Sequence, residues 1–125
     1  MKHQKFSVRK RIKSFGYAFN GLKILIREEH NARIHVLAAI CALIAGIVLK
    51  VSVIEWITLI FAMGFVITLE IINSAIENIA DFISPGQHEK IKKIKDLAAA
   101  GVLVSAITAL VIGLIIFLPK LLLLF

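Results

Sequence analysis

The run IEWITLIFAMGFVITLEIINSAIENIAD, residues 54–81, decides the fold. Its first half is apolar except for Glu55 and Thr58. At ~1.5 Å rise per residue it is long enough to cross the ~30 Å hydrocarbon layer of a bilayer as one helix. Its second half carries Glu70, Asn73, Glu77 and Asp81, which at roughly 100° per residue share an arc of about 80°. Ser74 and Asn78 flank that arc, while Ile71, Ile72, Ile76 and Ile79 point largely elsewhere. An acid at mid-membrane costs ~2.5–3.5 kcal/mol on insertion scales. Glu77 lies about 6 Å from Asp81 along the axis and Glu70 about 16 Å. Interhelical hydrogen bonding accounts for Asn73 and Ser74 but poorly for three acids, so the stripe is read as a functional site.

Two further spans flank this one. Residues 32–49 are apolar from Ile34 onward except for His35, read as interfacial, and residues 97–118 are closed by Pro119-Lys120. Lys50 to Glu55 is a short turn, with Trp56 expected as an interfacial anchor. Residues 82–96, FISPGQHEKIKKIKD, are read as a polar connection turning at Pro85-Gly86. Residues 1–30 precede the spans, with a mobile basic tail over 1–7. Val8, Ile12, Phe15, Phe19, Leu22 and Ile26 then recur at helical spacing, opposed by Lys10, Arg11, Lys13, Lys23 and Arg27. That pattern suits an amphipathic helix in the headgroup plane. Small residues at four-residue intervals (Ala38, Ala42, Gly46; Gly101, Ser105, Ala109, Gly113) permit close helix packing. The expected fold is all-α and integral to a membrane, a single domain over 1–125.

Composition agrees. Hydrophobic residues make up 59% of the 125-residue chain, against ~45–50% for soluble domains. So short a chain cannot enclose that surface, so it must meet lipid or other subunits. The same numbers exclude disorder. The net charge of +7 would suggest nucleic acid in a soluble protein; here the basic residues border apolar runs and fit anionic headgroups. Nine of them precede His35, four crowd 90–95, and Lys50 and Lys120 stand alone in their loops. The positive-inside rule puts the N-terminus and the 82–96 segment in the cytoplasm. No cleavable signal is evident, and the single cysteine, Cys41, cannot form an internal disulfide.

Three acids inside a membrane can relay protons or ions, as in a small transporter. They can also bind Mg²⁺ and through it a phosphate chain. Lys92, Lys93 and Lys95, the bare backbone of Gly86, and Glu28 and Glu29 at the same depth favour the second. Phosphoryl transfer needs little more than a metal, cations for the phosphates and a base for the acceptor hydroxyl. Glu70, the deepest acid and held in apolar surroundings, is suited to take a hydroxyl proton. A transporter and a non-catalytic scaffold whose stripe is subunit glue stay open as alternatives. The scattered histidines form no zinc motif, and no G-x-x-x-x-G-K-[ST] phosphate loop occurs.

The run Glu70-x-x-Asn73-Ser74-Ala75-Ile76-Glu77-x-x-Ala80-Asp81 resembles the signature of the prokaryotic diacylglycerol kinase family, which includes undecaprenol kinases. Gly16-Tyr17, Gly21-Leu22, Glu29, His88-Glu89 and Lys95-Asp96 extend the resemblance over nearly the whole chain. It implies a homotrimer of three-span subunits in a bacterial inner (plasma) membrane, with active sites between neighbouring chains. ATP and Mg²⁺ serve phosphorylation of a membrane lipid alcohol: diacylglycerol to phosphatidic acid, or undecaprenol to its phosphate. It implies that Glu70 is the catalytic base supported by Asn73, and that Glu29 and Glu77 hold the metal, Glu28 being the alternative to Glu29. Lys10, Tyr17, Gly86, Gln87, His88, Lys95 and Asp96 contact the nucleotide, with Arg9 or Arg11 able to stand in for Lys10. The acceptor is placed at Glu70, and Ala99 falls where some members carry Ser beside the lipid. Ile34-His35-Val36 and the segment from Ile112 to Lys120 are more similar to the undecaprenol kinase branch.

Overall fold

The computed structural model describes residues 5–86 and 88–125. They form α1 (Val8–Glu28), α2 (His30–Val48), α3 (Val53–Ile83) and α4 (Glu89–Leu124). Three of these, α2 to α4, are long and apolar enough to cross a membrane. Most of their large side chains face outward, Ile47 and Phe61 at 70% and 75% exposure among them, as expected where lipid or other subunits replace water. The antiparallel pair α3–α4 forms the body of the molecule.

Ser7 caps α1, its hydroxyl accepting from the Lys10 N–H. Val8, Ile12, Phe15 and Phe19 lie exposed along this helix. α1 stops because Glu29 is extended, and α2 restarts at the next residue. The carbonyls this break orphans are met by Arg33, whose Nε donates to Ile26 O at 2.6 Å and whose Nη2 donates to Arg27 O. Leu25 and Ala32, one on each side of the corner, are buried.

At the opposite end, Lys50 takes a left-handed conformation (φ 52°) between α2 and α3. Ser52 and Glu55 then form a capping box: Ser52 N–H donates to Glu55 Oε1 at 2.9 Å and Glu55 N–H to Ser52 Oγ at 3.2 Å. Val51, Leu59 and Ile116 make a small buried cluster with Trp56, Met63, Ile112 and Phe117 around it. Trp56, expected as an anchor in the interface, also covers Gly46: a Cβ there would stand 2.6 Å from its ring.

The structure corrects two boundaries. The polar connection expected over 82–96 is much shorter, because α4 begins at Glu89. His88 caps it, Nδ1 accepting from the Lys90 N–H at 3.1 Å. Ile91 and Ile94 keep helical spacing, and Lys92 pairs with Asp96 one turn on at 2.7 Å. At the other end Pro119 does not close α4, which continues to Leu124. In an apolar surrounding a helix is the cheapest way to satisfy the backbone, and Lys120 Nζ is fixed to Glu55 at 2.7 and 2.9 Å. α2 and α3 also start slightly before the expected spans, at His30 and Val53.

Gly46→Ala is expected to destabilise the protein by about 1–3 kcal/mol through overpacking against Trp56. Adding Trp56→Leu in the same chain should recover part of that loss. Thermal unfolding of the single and double variants in detergent checks both outcomes.

Candidate active site

The polar face of α3 meets the α1–α2 corner. Glu70 is 2% exposed and Ser74 is also buried, while Asn73 and Glu77 are half-buried. The break at Glu29 swings its carboxylate onto this face, where Oε1 accepts from Ser74 Oγ at 3.0 Å. Glu28, on the last turn of α1, stays exposed. From α2, His35 Nε2 comes within 3.2 Å of Glu70 Oε1, yet not in hydrogen-bonding alignment. Glu70 Oε1 and Asn73 Oδ1 are therefore buried oxygens with no bonded partner among the described residues. Nearly all buried polar atoms in folded proteins are bonded, so two orphans one helical turn apart mark a place built for another molecule. Asn78 is otherwise occupied, its Nδ2 donating to Ser74 O at 2.8 Å.

A second group gathers where α3 ends and α4 begins. Lys95 pairs with Asp81, and Asp96 is held by Lys92. Glu77 lies within electrostatic reach of both Glu70 and Lys95, joining the two groups. Gly86 is open to its surroundings, and its carbonyl accepts from Ser84 Oγ at 3.1 Å. Gln87 lies outside the described residues, as do residues 1–4 of the expected tail. Ala99 is exposed on α4.

Lys10 and Tyr17 are not brought to the carboxylates. They line a separate basic hollow of about 470 Å³ on α1, with Lys5, Arg11 and Lys13. Along the straight helix, Tyr17 is about 16 Å and Lys10 about 27 Å from Glu28.

An apolar groove of about 560 Å³ starts at His35 and runs between α2, α3 and α4 past Ala42, Val66, Gly113 and Phe117 to Leu121. Of the small residues noted in α2 and α4, Ala38, Ala42, Ala109 and Gly113 line it. His35, expected at the membrane interface, is also the junction of groove and acid. Its signal in the sequence is that it alone interrupts the apolar run 34–49.

Among the described residues no three His, Cys, Asp or Glu stand together as a complete metal cage. Mg²⁺ does not require one, being commonly held by one or two carboxylates with water and substrate phosphates completing its shell.

A family model described as prokaryotic diacylglycerol kinase matches residues 16–117. This chain belongs to the prokaryotic diacylglycerol kinase family. It is 41% identical to the undecaprenol kinase of Bacillus subtilis over 109 residues, covering 87% of this chain and 89% of that protein. The diacylglycerol kinase of Escherichia coli is 34% identical over 100 residues (80% and 82% covered), and that of Helicobacter pylori 36% over 96 residues (76% and 74%). As a member of the prokaryotic diacylglycerol kinase family the chain is a lipid kinase of a bacterial membrane, with ATP as co-substrate.

The Glu29–Ser74 contact should be worth about 1.5–3 kcal/mol, as for hydrogen bonds to charged groups. A double-mutant cycle of Glu29→Gln and Ser74→Ala, read by thermal unfolding, should show coupling of that order.

Proposed function

We propose that this lipid kinase transfers the γ-phosphoryl group of MgATP to undecaprenol, with Glu70 as the base. The observation that carries the reading is the meeting of Glu29, Ser74 and Glu70 beside His35, which heads an apolar groove, with Glu70 Oε1 and Asn73 Oδ1 unbonded. An ion pathway has no use for a groove of alkyl dimensions. The higher identity to an undecaprenol kinase supports the isoprenoid acceptor, as do the segments around His35 and Ile112–Lys120.

The acceptor's chain occupies the groove and brings its hydroxyl to Glu70. The carboxylate takes the hydroxyl proton as the oxygen attacks the γ-phosphorus, the bond to the bridging oxygen breaks, and ADP leaves. Asn73 supports the carboxylate from the next turn. Glu29 and Glu77 hold Mg²⁺: both offer hard oxygen donors beside Glu70, and Glu77 has no ion pair among the described residues. Mg²⁺, when bound, neutralises charge developing on the phosphates. Lys95 serves the phosphates, exchanging Asp81 for them, while Gly86, Gln87, His88 and Asp96 border the nucleotide. Lys10 and Tyr17 complete its site in a homotrimer, an arrangement supported by the large exposed apolar surface of α2–α4. The N-terminus and α1 lie on the cytoplasmic side, where ATP is, with three spans beyond.

Glu70→Gln should lower kcat by about 10²–10⁴-fold, the usual contribution of a general base, without unfolding the protein. MgATP at 100 times its Kd should stabilise the wild type by ~2.7 kcal/mol, and Glu77→Gln should lose that gain. Full activity in a folded Glu77→Gln protein would refute the metal assignment. Turnover with purified undecaprenol against diacylglycerol tests the acceptor; a preference for diacylglycerol overturns that part alone.

A further inference from the structure

We propose that His35 is a positioning residue for Glu70, fixing one carboxylate oxygen so that the other meets the acceptor hydroxyl. The inference rests on the reading of Glu70 as the base. The two residues come from different helices, α2 and α3, and their side chains approach to 3.2 Å, Nε2 to Oε1. Glu70 is 2% exposed and His35 about a quarter, so the contact sits at the inner limit of what the surroundings reach. The carboxylate needs a donor there. Glu29 and Glu77 are carboxylates, and the Ser74 hydroxyl is already donated to Glu29. Oε1 is the buried oxygen left without a bonded partner; the imidazole stands at bonding distance but out of alignment, and a turn of the neutral ring would present its Nε2–H to that oxygen.

The groove gives the contact its purpose. Apart from His35 and Cys41 its lining is wholly aliphatic and aromatic. An alcohol lying in it therefore meets His35, which stands against Glu70, at the end where its hydroxyl must be. A carboxylate free to rotate would offer its oxygens to that hydroxyl only part of the time. One held by the imidazole once substrate draws the two into alignment would be oriented, and misplacement by about 1 Å can cost 10²-fold in rate.

The experiment compares His35→Ala, His35→Gln and Glu70→Gln in one detergent-lipid preparation. Each is measured for kcat, KM for MgATP, melting temperature and the stabilisation given by MgATP. His35→Ala is expected to lower kcat about 10–100-fold, the range for removing a residue that orients a reactive group. KM for MgATP and the MgATP-induced stabilisation should stay unchanged. His35→Gln, whose amide N–H can still donate, should recover most of the loss. If Glu70→Gln is inactive while His35→Ala stays within twofold of wild type, the positioning role is overturned and Glu70 keeps its own. If His35→Ala loses activity with its melting temperature or its MgATP stabilisation, and His35→Gln gives no rescue, His35 is merely structural and the proposal fails. If Glu70→Gln retains activity, the reading beneath falls and takes this one with it.

Discussion

Glu70 sits at 2% exposure on a helix whose other buried residues are Leu59, Ala62, Val66, Ser74 and Ala80. An ionisable group there loses its water and must be compensated by whatever the fold brings to it. The neighbouring elements are arranged around that need. α1 ends abruptly so that Glu29 can reach Ser74, α2 begins so that His35 reaches Glu70, and α4 begins early enough for Lys95 to reach Asp81. The compensation is left incomplete at Glu70 Oε1 and Asn73 Oδ1, and this is where a substrate has something to gain by binding.

The two ends of the molecule divide the work. At the end carrying the α2–α3 turn, the contacts are fully satisfied: a reciprocal capping box, the Lys120–Glu55 pair, and the Trp56 ring over Gly46 beside a small buried cluster. At the other end lie the polar groups, partly exposed and partly unbonded. The first end holds α3 and α4 in register, and the second can then exchange partners without loosening the fold. Lys95 and Asp81 are exposed enough to separate when a more strongly charged partner arrives.

The stripe on α3 was legible because its spacing is local: residues three, four and seven apart share a face whatever else the chain does. The family signature rests on the same run, and membership followed. What escaped depends on partners distant in sequence or on the solvent. His35 and Glu70 are far apart in the chain, and nothing in the run around His35 announces the acid opposite. Trp56 near a span end reads as a belt residue, and the Gly46 beneath it belongs to another helix. The lysines of 90–95 read as a loop by charge, though Ile91 and Ile94 carry the helical period. Pro119 reads as a stop because that rule was learned in water, where a broken helix finds new hydrogen bonds at once. The resemblance gives Lys10 and Tyr17 to the nucleotide in a site between chains, and within one chain they lie apart from the carboxylates along α1.

The Arg33 guanidinium takes up the carbonyls of both Ile26 and Arg27. That double grip fixes how many residues can stand between the two helices. Adding or deleting a single residue in the corner would rotate the chain by about 100° and present Glu28 or His30 to Ser74 in place of Glu29. The length of this corner is therefore as much a part of the chemistry as its side chains.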